Sequence, residues 1–133
     1  MPGTAAKEAL VKLRDAITIV YPRTLLFKLA KMGVIEAPRP LTLTFSVTNQ
    51  CQSKCKTCNI WKFYREGTQS HKDELTLPEI EKLFKSMGGI YFFNLSGGEP
   101  FLRKDLPQIV DLAIEHLRPA IIHSPTNAIA TKR

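Results

Sequence analysis

The three cysteines of this chain, Cys51, Cys55 and Cys58, lie in one eight-residue segment, C-Q-S-K-C-K-T-C. Thiolates are soft ligands for iron, zinc and copper(I), and three so close in sequence can bind one metal centre without a ligand from a distant strand. A closed structural zinc site or an ordinary ferredoxin cluster needs four protein ligands. Three cysteines therefore indicate either a histidine as the fourth ligand or an open coordination position.

The alternatives to an open metal centre differ in how well they fit the cysteine pattern. A disulfide framework does not fit, because the cysteine number is odd, the three crowd one loop and no secretory signal pattern precedes them. A Cys3His zinc site remains open, with His71, His116 or His123 as the fourth ligand. The C-x-x-x-C spacing differs from the usual pair of C-x-x-C zinc knuckles, so the pattern favours a cluster with one open position.

The segment before the cysteines, residues 41–48 (L-T-L-T-F-S-V-T), alternates apolar and hydroxyl side chains and predicts a β-strand. In a helix-covered barrel the apolar face would pack on the helices and the hydroxyl face would line a polar interior. An antiparallel strand with one solvated face gives the same pattern. The cysteine loop follows this strand directly, and active sites of parallel α/β folds form at the carboxyl ends of strands.

A second motif, S-G-G-E-P at residues 96–100, follows a short apolar and aromatic run over residues 90–95. That run, bounded by glycines, is typical of a buried parallel strand. Two glycines at a strand end let the backbone approach a ligand closely, and Glu99 beside them offers a carboxylate to a cationic amine.

Helical patterns separate the predicted strands. Thr76 and Glu79 have capping-box spacing ahead of a helix over residues 77–87, and Asp105 is positioned to cap a helix that ends before Pro119. A third strand is predicted at residues 120–123, followed by S-P-T-N-A. Strands and helices thus alternate as βαβαβ, which predicts a parallel sheet with right-handed connections.

The N-terminal region, residues 1–39, is predicted to be a separate helical lead-in to a domain over residues 40–133. Apolar residues follow a helical period from residue 5 to residue 32, with a break expected at Tyr21-Pro22 and a C-terminal cap at Gly33. This apolar stripe most simply faces a core. A basic amphipathic helix on a membrane surface is the alternative.

The cysteine triplet and the G-G-E-P motif, about 40 residues apart, together resemble the radical S-adenosylmethionine (SAM) superfamily. The resemblance implies that Cys51, Cys55 and Cys58 hold three irons of a [4Fe-4S] cluster and that SAM chelates the fourth iron. It also implies reductive cleavage of SAM to a 5'-deoxyadenosyl radical that abstracts a hydrogen from a substrate. An electron donor such as ferredoxin or flavodoxin would be a partner, and the substrate itself stays open.

Further site residues follow from the same resemblance. Gly97, Gly98 and Glu99 correspond to the motif that contacts the amino group of SAM. Ser124, Thr126 and Asn127 lie where relatives often carry T-N-G, and they are candidates for lining the SAM site. Two positions depart from the family pattern, because Ala128 replaces that glycine and Thr57 replaces an aromatic residue that often precedes the third cysteine.

The fold implied by the resemblance is a partial parallel (β/α) barrel of the (β/α)6 type, of which this chain supplies the first three strands. At 133 residues the chain is short for a barrel enzyme. We therefore expect a fragment or a chain that needs a partner. The rival functions are a non-catalytic Cys3His zinc or iron-sulfur binding module and a degenerate remnant that binds nothing.

Charge and hydropathy exclude some other classes. The formal net charge is +7, but the basic residues are scattered and form no aromatic-interleaved stripe, so no nucleic-acid partner is predicted. No run of about 18 uncharged apolar residues predicts a transmembrane helix, and no signal peptide is recognised. A cytoplasmic, reducing compartment is therefore expected.

Overall fold

A computed structural model describes residues 3–68 and 70–129 of the chain. The structure divides into two compact units, the first ending at Leu41 and the second beginning at Thr42. The first unit is helical. Helix α1 (Gly3–Asp15) continues through a π-helical turn (Ala16–Val20) into helix α2 (Tyr21–Lys31). In the described ranges, no helix has the length and apolar character needed to span a bilayer.

The helix is interrupted next to the predicted break at Tyr21-Pro22: a π-helical turn over Ala16–Val20 separates α1 from α2, which begins at Tyr21. The amide of Tyr21 donates to the carbonyl oxygen of Ala16, five residues back. Pro22 occupies the first turn of α2, where its missing N–H and fixed φ angle are tolerated. The predicted cap at Gly33 is confirmed: its φ is 74°, and the amide of Val34 donates to the carbonyl oxygen of Leu29 at 3.1 Å.

The second unit is built on one sheet of three parallel strands in the order β1-β2-β3. The open parallel sheet with its helices confirms the predicted partial (β/α) barrel. The strands are β1 (Thr42–Thr48), β2 (Phe92–Gly97) and β3 (Ile121–His123). The helices are α3 (Ile60–Arg65), α4 (Leu77–Met87) and α5 (Leu106–His116), with short 3-10 turns at His71–Asp73 and Pro100–Leu102.

The core of this unit lies between the sheet and helices α4 and α5. Three phenylalanines form its centre: the ring of Phe84 on α4 makes edge contacts with Phe45 on β1 and Phe93 on β2, at centroid distances of 5.4 and 5.5 Å. The apolar side chains of β1 therefore face the helices, as the alternating pattern predicted for a helix-covered sheet. Thr42, Thr44 and Ser46 on the opposite face are exposed.

Local sequence signals set the start of α4 but not that of α5. Helix α4 spans the predicted residues and carries the predicted capping box between Thr76 and Glu79. Asp105 occupies the N-cap position of α5, but its carboxylate makes no capping hydrogen bond and is bound by Arg103 instead. The prediction of an Asp105 side-chain cap is therefore wrong, because the arginine two residues earlier binds the carboxylate.

Candidate functional site

The loops after β1 and β2 lie side by side at the carboxyl end of the sheet. The amide of Gly98 donates to the carbonyl oxygen of Thr48 at 2.7 Å, and the amide of Glu99 donates to that of Gln50 at 2.8 Å. These bonds continue the strand pairing beyond the regular sheet. They place the start of the cysteine loop against the G-G-E motif, two features that lie far apart in sequence.

The two glycines of the motif are required by this backbone contact. A Cβ atom on Gly97 would stand 2.2 Å from the carbonyl oxygen of Thr48, and one on Gly98 would stand 2.1 Å from that of Gln50. Gly97 also has a φ of 110°, which side-chain-bearing residues rarely adopt. The glycines thus have a packing role in addition to the ligand approach that the sequence suggested.

Glu99 joins the loop after β2 to the loop after β3. Its side chain is almost fully buried, with 1% of the residue exposed. One carboxylate oxygen accepts hydrogen bonds from the hydroxyl of Thr126 at 2.8 Å and the amide of Phe101 at 3.3 Å. The other accepts from the amide of Asn127 at 2.8 Å. Donors from the chain itself therefore compensate the buried negative charge.

Asn127 joins the loop after β3 to the cysteine loop. Its carboxamide oxygen accepts from the side-chain amide of Gln52 at 3.1 Å, and its nitrogen donates to the hydroxyl of Ser53 at 2.9 Å. The same nitrogen lies 3.9 Å from the sulfur of Cys51. Together with Glu99, Asn127 completes a hydrogen-bonded chain across all three strand ends.

The three cysteines lie on the loop between β1 and α3 and form no disulfide bonds. Cys51 is half-buried, whereas Cys55 and Cys58 are exposed. The amide of Cys58 donates to the carbonyl oxygen of Cys55 at 3.3 Å, so these two occupy one tight turn. Over residues 3–68 and 70–129, no three His, Cys, Asp or Glu side chains are grouped so as to hold a metal ion.

The cysteine loop nevertheless fits a thiolate-ligated cluster by the chemistry of its donors. Three soft sulfur ligands stand on one loop at the strand ends, two of them solvent-exposed and so accessible to an incoming cluster. Binding would require the exposed turn of Cys55 and Cys58 to close around the cluster. Ligation by these three residues stays a prediction.

The histidines proposed as alternative ligands are placed elsewhere, as far as the structure describes them. The Nδ1 atom of His123 lies 2.8 Å from the side-chain oxygen of Asn94, and its ring stacks on Phe92. His116 lies near Glu81, with 3.7 Å between its Nε2 atom and the carboxylate. The side chain of His71 lies outside the described part.

Ser124 is separated from the other residues of the predicted S-P-T-N segment. It borders a mainly apolar cavity of about 680 Å³ beside α5, which Leu95, Phe101 and Ile122 also line. Its hydroxyl oxygen is buried and makes no hydrogen bond. Thr126 and Asn127 instead contact Glu99 and the cysteine loop. The structure thus brings together two of the three predicted residues.

A carboxylate that sequence reasoning missed lies under the end of β1. Glu74 accepts hydrogen bonds from the hydroxyls of Thr48 and Tyr64, each at 2.5 Å. Burial, followed by the hydrogen bond to Glu74, raises the pKa of Tyr64 to about 12. Residues 65–74 form a polar segment without periodicity, so no local sequence pattern singles out Glu74.

Arg103 is a second buried polar residue that the sequence did not single out. Its side chain is 7% exposed and makes an ion pair with Asp105 at 2.8 Å. The guanidinium beside Asp105 holds the pKa of that carboxyl below its usual range. Arg103 also borders, with Thr48 and Glu74, a cavity of about 700 Å³ at this edge of the sheet.

Comparison with known proteins identifies sequence relatives of the second unit. The sequence profile of the Radical SAM superfamily matches residues 45–132. A GTP 3',8-cyclase of Vibrio atlanticus is 37% identical over 70 residues, which cover 51% of this chain and 21% of that protein. A probable GTP 3',8-cyclase of Thermococcus kodakarensis is 39% identical over 88 residues, which cover 63% of this chain and 26% of that protein.

A further relative is the probable GTP 3',8-cyclase of Methanothermobacter thermautotrophicus. It is 36% identical over 73 residues, which cover 53% of this chain and 22% of that protein. The aligned segments thus span between 21% and 26% of the length of these three relatives. No solved structure matches the chain significantly.

Proposed function

We propose a function from the premise that this chain belongs to the radical SAM superfamily, whose profile covers residues 45–132. Members of this family use a [4Fe-4S] cluster and SAM. We propose that the second unit of this chain binds both at the carboxyl ends of its three strands. The observation that carries the proposal is the contact between the cysteine loop and the G-G-E loop, made by the backbone bonds from Gly98 and Glu99 to Thr48 and Gln50.

The cluster-binding residues in this proposal are Cys51, Cys55 and Cys58. Three thiolates would leave one iron without a protein ligand, and that iron would be available to SAM. With both bound and one electron supplied by a reductant such as ferredoxin or flavodoxin, the cofactors would supply the reductive cleavage of SAM to methionine and a 5'-deoxyadenosyl radical. The protein contributes ligands, orientation and the exclusion of water.

The G-G-E loop would bind the methionine end of SAM. Gly97 and Gly98 carry no Cβ, so this loop lies directly against the start of the cysteine loop, where the cluster would bind. Glu99 supplies a carboxylate whose position is held by Thr126 and Asn127. A cationic amine placed beside this carboxylate would gain a charge-assisted hydrogen bond in a largely dry environment.

The proposal is limited to the cofactor-binding part of a radical SAM reaction. The matched relatives are named GTP 3',8-cyclases, and the aligned segments cover about a quarter or less of their length. The remaining parts of a complete enzyme would supply the other contacts to SAM and the binding site of the substrate. We therefore assign no substrate to this chain.

The test is anaerobic reconstitution with iron and sulfide, followed by measurement of iron and acid-labile sulfide per chain. We expect about four of each and a change in the absorption or EPR spectrum when SAM is added. Cys55→Ala should abolish cluster binding. His71→Ala, His116→Ala and His123→Ala should retain it, in contrast to a Cys3His site. Bound zinc, or no bound metal, in the wild-type protein would contradict the proposal.

A further inference from the structure

The carboxamide of Asn127 engages three consecutive residues of the cysteine loop. Its oxygen accepts a hydrogen bond from the side-chain amide of Gln52, and its nitrogen donates one to the hydroxyl of Ser53. The same nitrogen lies 3.9 Å from the sulfur of Cys51. Both ends of the amide are therefore committed to this loop. These hydrogen bonds fix the orientation of the carboxamide, because its oxygen and its nitrogen each have a specific partner.

The backbone of Asn127 is fixed independently of its side chain. Its backbone amide donates to the buried carboxylate of Glu99 at 2.8 Å. Glu99 in turn is tied to the end of β1 through the carbonyl oxygen of Gln50. Asn127 therefore connects the cysteine loop to the buried carboxylate of Glu99.

The first cysteine is the one that lies near the Asn127 side chain. Cys51 is half-buried, whereas Cys55 and Cys58 are exposed, and within residues 3–68 and 70–129 the hydrogen bonds of the Asn127 side chain reach Gln52, Ser53, Cys51 and Ile129 but neither of these two cysteines. If Asn127 restrains the start of the loop, its loss should alter Cys51 much more than the other two cysteines. A hydrogen-bond donor close to a cysteine sulfur also tunes any metal bound there, because outer-shell donors stabilise negative charge on the ligand.

We propose that Asn127 is a positioning residue for Cys51 and not a direct ligand of the cofactor. Its side chain holds the start of the cysteine loop against the G-G-E loop and directs an N–H group toward the sulfur that becomes the first cluster ligand. The inference that this serves a cluster rests on the proposed function. The placement of Cys51 by Asn127 rests on the hydrogen bonds alone.

The first test uses the metal-free chain, so that it does not depend on cluster binding. Site-specific alkylation with iodoacetamide, followed by peptide mass spectrometry, gives the labelling rate of each cysteine. Asn127→Ala should raise the rate at Cys51 about fivefold relative to Cys55 and Cys58, as expected for losing about one hydrogen bond. Asn94→Ala, which removes an asparagine from the middle of β2, should leave the ratio unchanged.

Further variants separate positioning from misfolding. Ser53→Ala removes the partner of the 2.9 Å hydrogen bond without altering the loop after β3, and it should raise the Cys51 ratio in the same direction. Asn127→Asp keeps the side-chain shape and an acceptor oxygen but loses the N–H donor. It should also raise the labelling rate of Cys51 relative to Cys55 and Cys58, while thermal unfolding stays cooperative. An unchanged Cys51 ratio in all three variants would overturn the proposal.

The second test uses the reconstituted protein. Asn127→Asp and Asn127→Ala should lower the reduction potential of the cluster, because the N–H group that stabilises negative charge near Cys51 is removed. An unchanged reduction potential in both variants would contradict an effect of the Asn127 N–H group on the cluster. A wild-type chain that binds no cluster but shows the expected Cys51 labelling ratio would contradict the proposed function and leave the placement by Asn127 supported.

Discussion

The guanidinium of Arg103 donates a hydrogen bond to the backbone carbonyl oxygen of Val47, 56 residues earlier in the chain. Val47 is the penultimate residue of β1, directly before the strand end from which the cysteine loop departs. The same guanidinium donates to the carbonyl oxygen of Leu75 and to the carboxylate of Asp105. One buried side chain thus links the end of β1, the start of α4 and the start of α5.

We predict that Arg103→Ala lowers the free energy of unfolding by about 2–4 kcal/mol, because it leaves two carbonyl oxygens and a carboxylate without their donor. Urea denaturation followed by circular dichroism measures the change. Lys104→Ala is the matched control, since Lys104 is adjacent and exposed, and it should change the stability by less than about 0.5 kcal/mol. Equal effects of the two substitutions would contradict the linking role of Arg103.

The change of the unfolding free energy at acid pH should show the contribution of the Arg103–Asp105 ion pair. The pKa of Asp105 is lowered in the folded protein, chiefly by its hydrogen bond from Arg103, so the folded state favours the ionised carboxyl. The resulting stabilisation is present above the unfolded pKa of about 3.9 and is lost as the pH falls through the lower folded pKa. Unfolding free energies measured between about pH 5 and pH 2 should fall less steeply in Asp105→Asn than in the wild type.

The glycines of the G-G-E motif should be intolerant of any side chain. We predict that Gly97→Ala and Gly98→Ala each destabilise the protein by about 3 kcal/mol or more, because the added Cβ atom would collide with a backbone oxygen that cannot rotate away. Gly67→Ala is the control. Gly67 also has a positive φ, 68°, but nothing lies within 4 Å of its Cβ position, so the cost should be about 1 kcal/mol.

Ala128 is a site where a glycine should stabilise the fold. Its φ of 56° lies in the left-handed region, which costs an alanine about 1 kcal/mol or slightly more. This is the position where the family pattern often has glycine. Ala128→Gly should therefore raise the free energy of unfolding by about 0.5–1 kcal/mol. Ala120→Gly, at a residue whose φ is not positive, should lower it, and a lower stability in both variants would contradict the strain at Ala128.

Tyr64 should ionise at an unusually high pH for a tyrosine. Its pKa of about 12 results first from burial and then from its hydrogen bond to the carboxylate of Glu74. The folded pKa is above the unfolded value of about 10, so the stabilisation is complete below pH 10 and is lost as the pH rises toward 12. Spectrophotometric titration should show this late ionisation and its loss in Tyr64→Phe. Glu74→Gln should lower the pKa of Tyr64 by removing the negative charge.

Local patterns in the sequence determined most of the elements. The alternating residues of β1 and the capping box of α4 predicted those elements to within one residue, because the signals lie inside the segments that they specify. The start of β2 was predicted two residues early. The amide of Ile90 donates to the carbonyl oxygen of Leu117 at 3.0 Å, and this partner lies beyond any local pattern.

The sequence by itself also determined the family, because three thiols at that spacing and two glycines before a glutamate are specific to few functions. Only the tertiary structure decided how these motifs meet. Glu99 became a buried acceptor, Asn127 came to hold the start of the cysteine loop, and Ser124 turned away into an apolar cavity. The placements of Glu99 and Asn127 depend on hydrogen bonds between residues 27 to 75 positions apart, and separations of that length leave no periodic signal in the sequence.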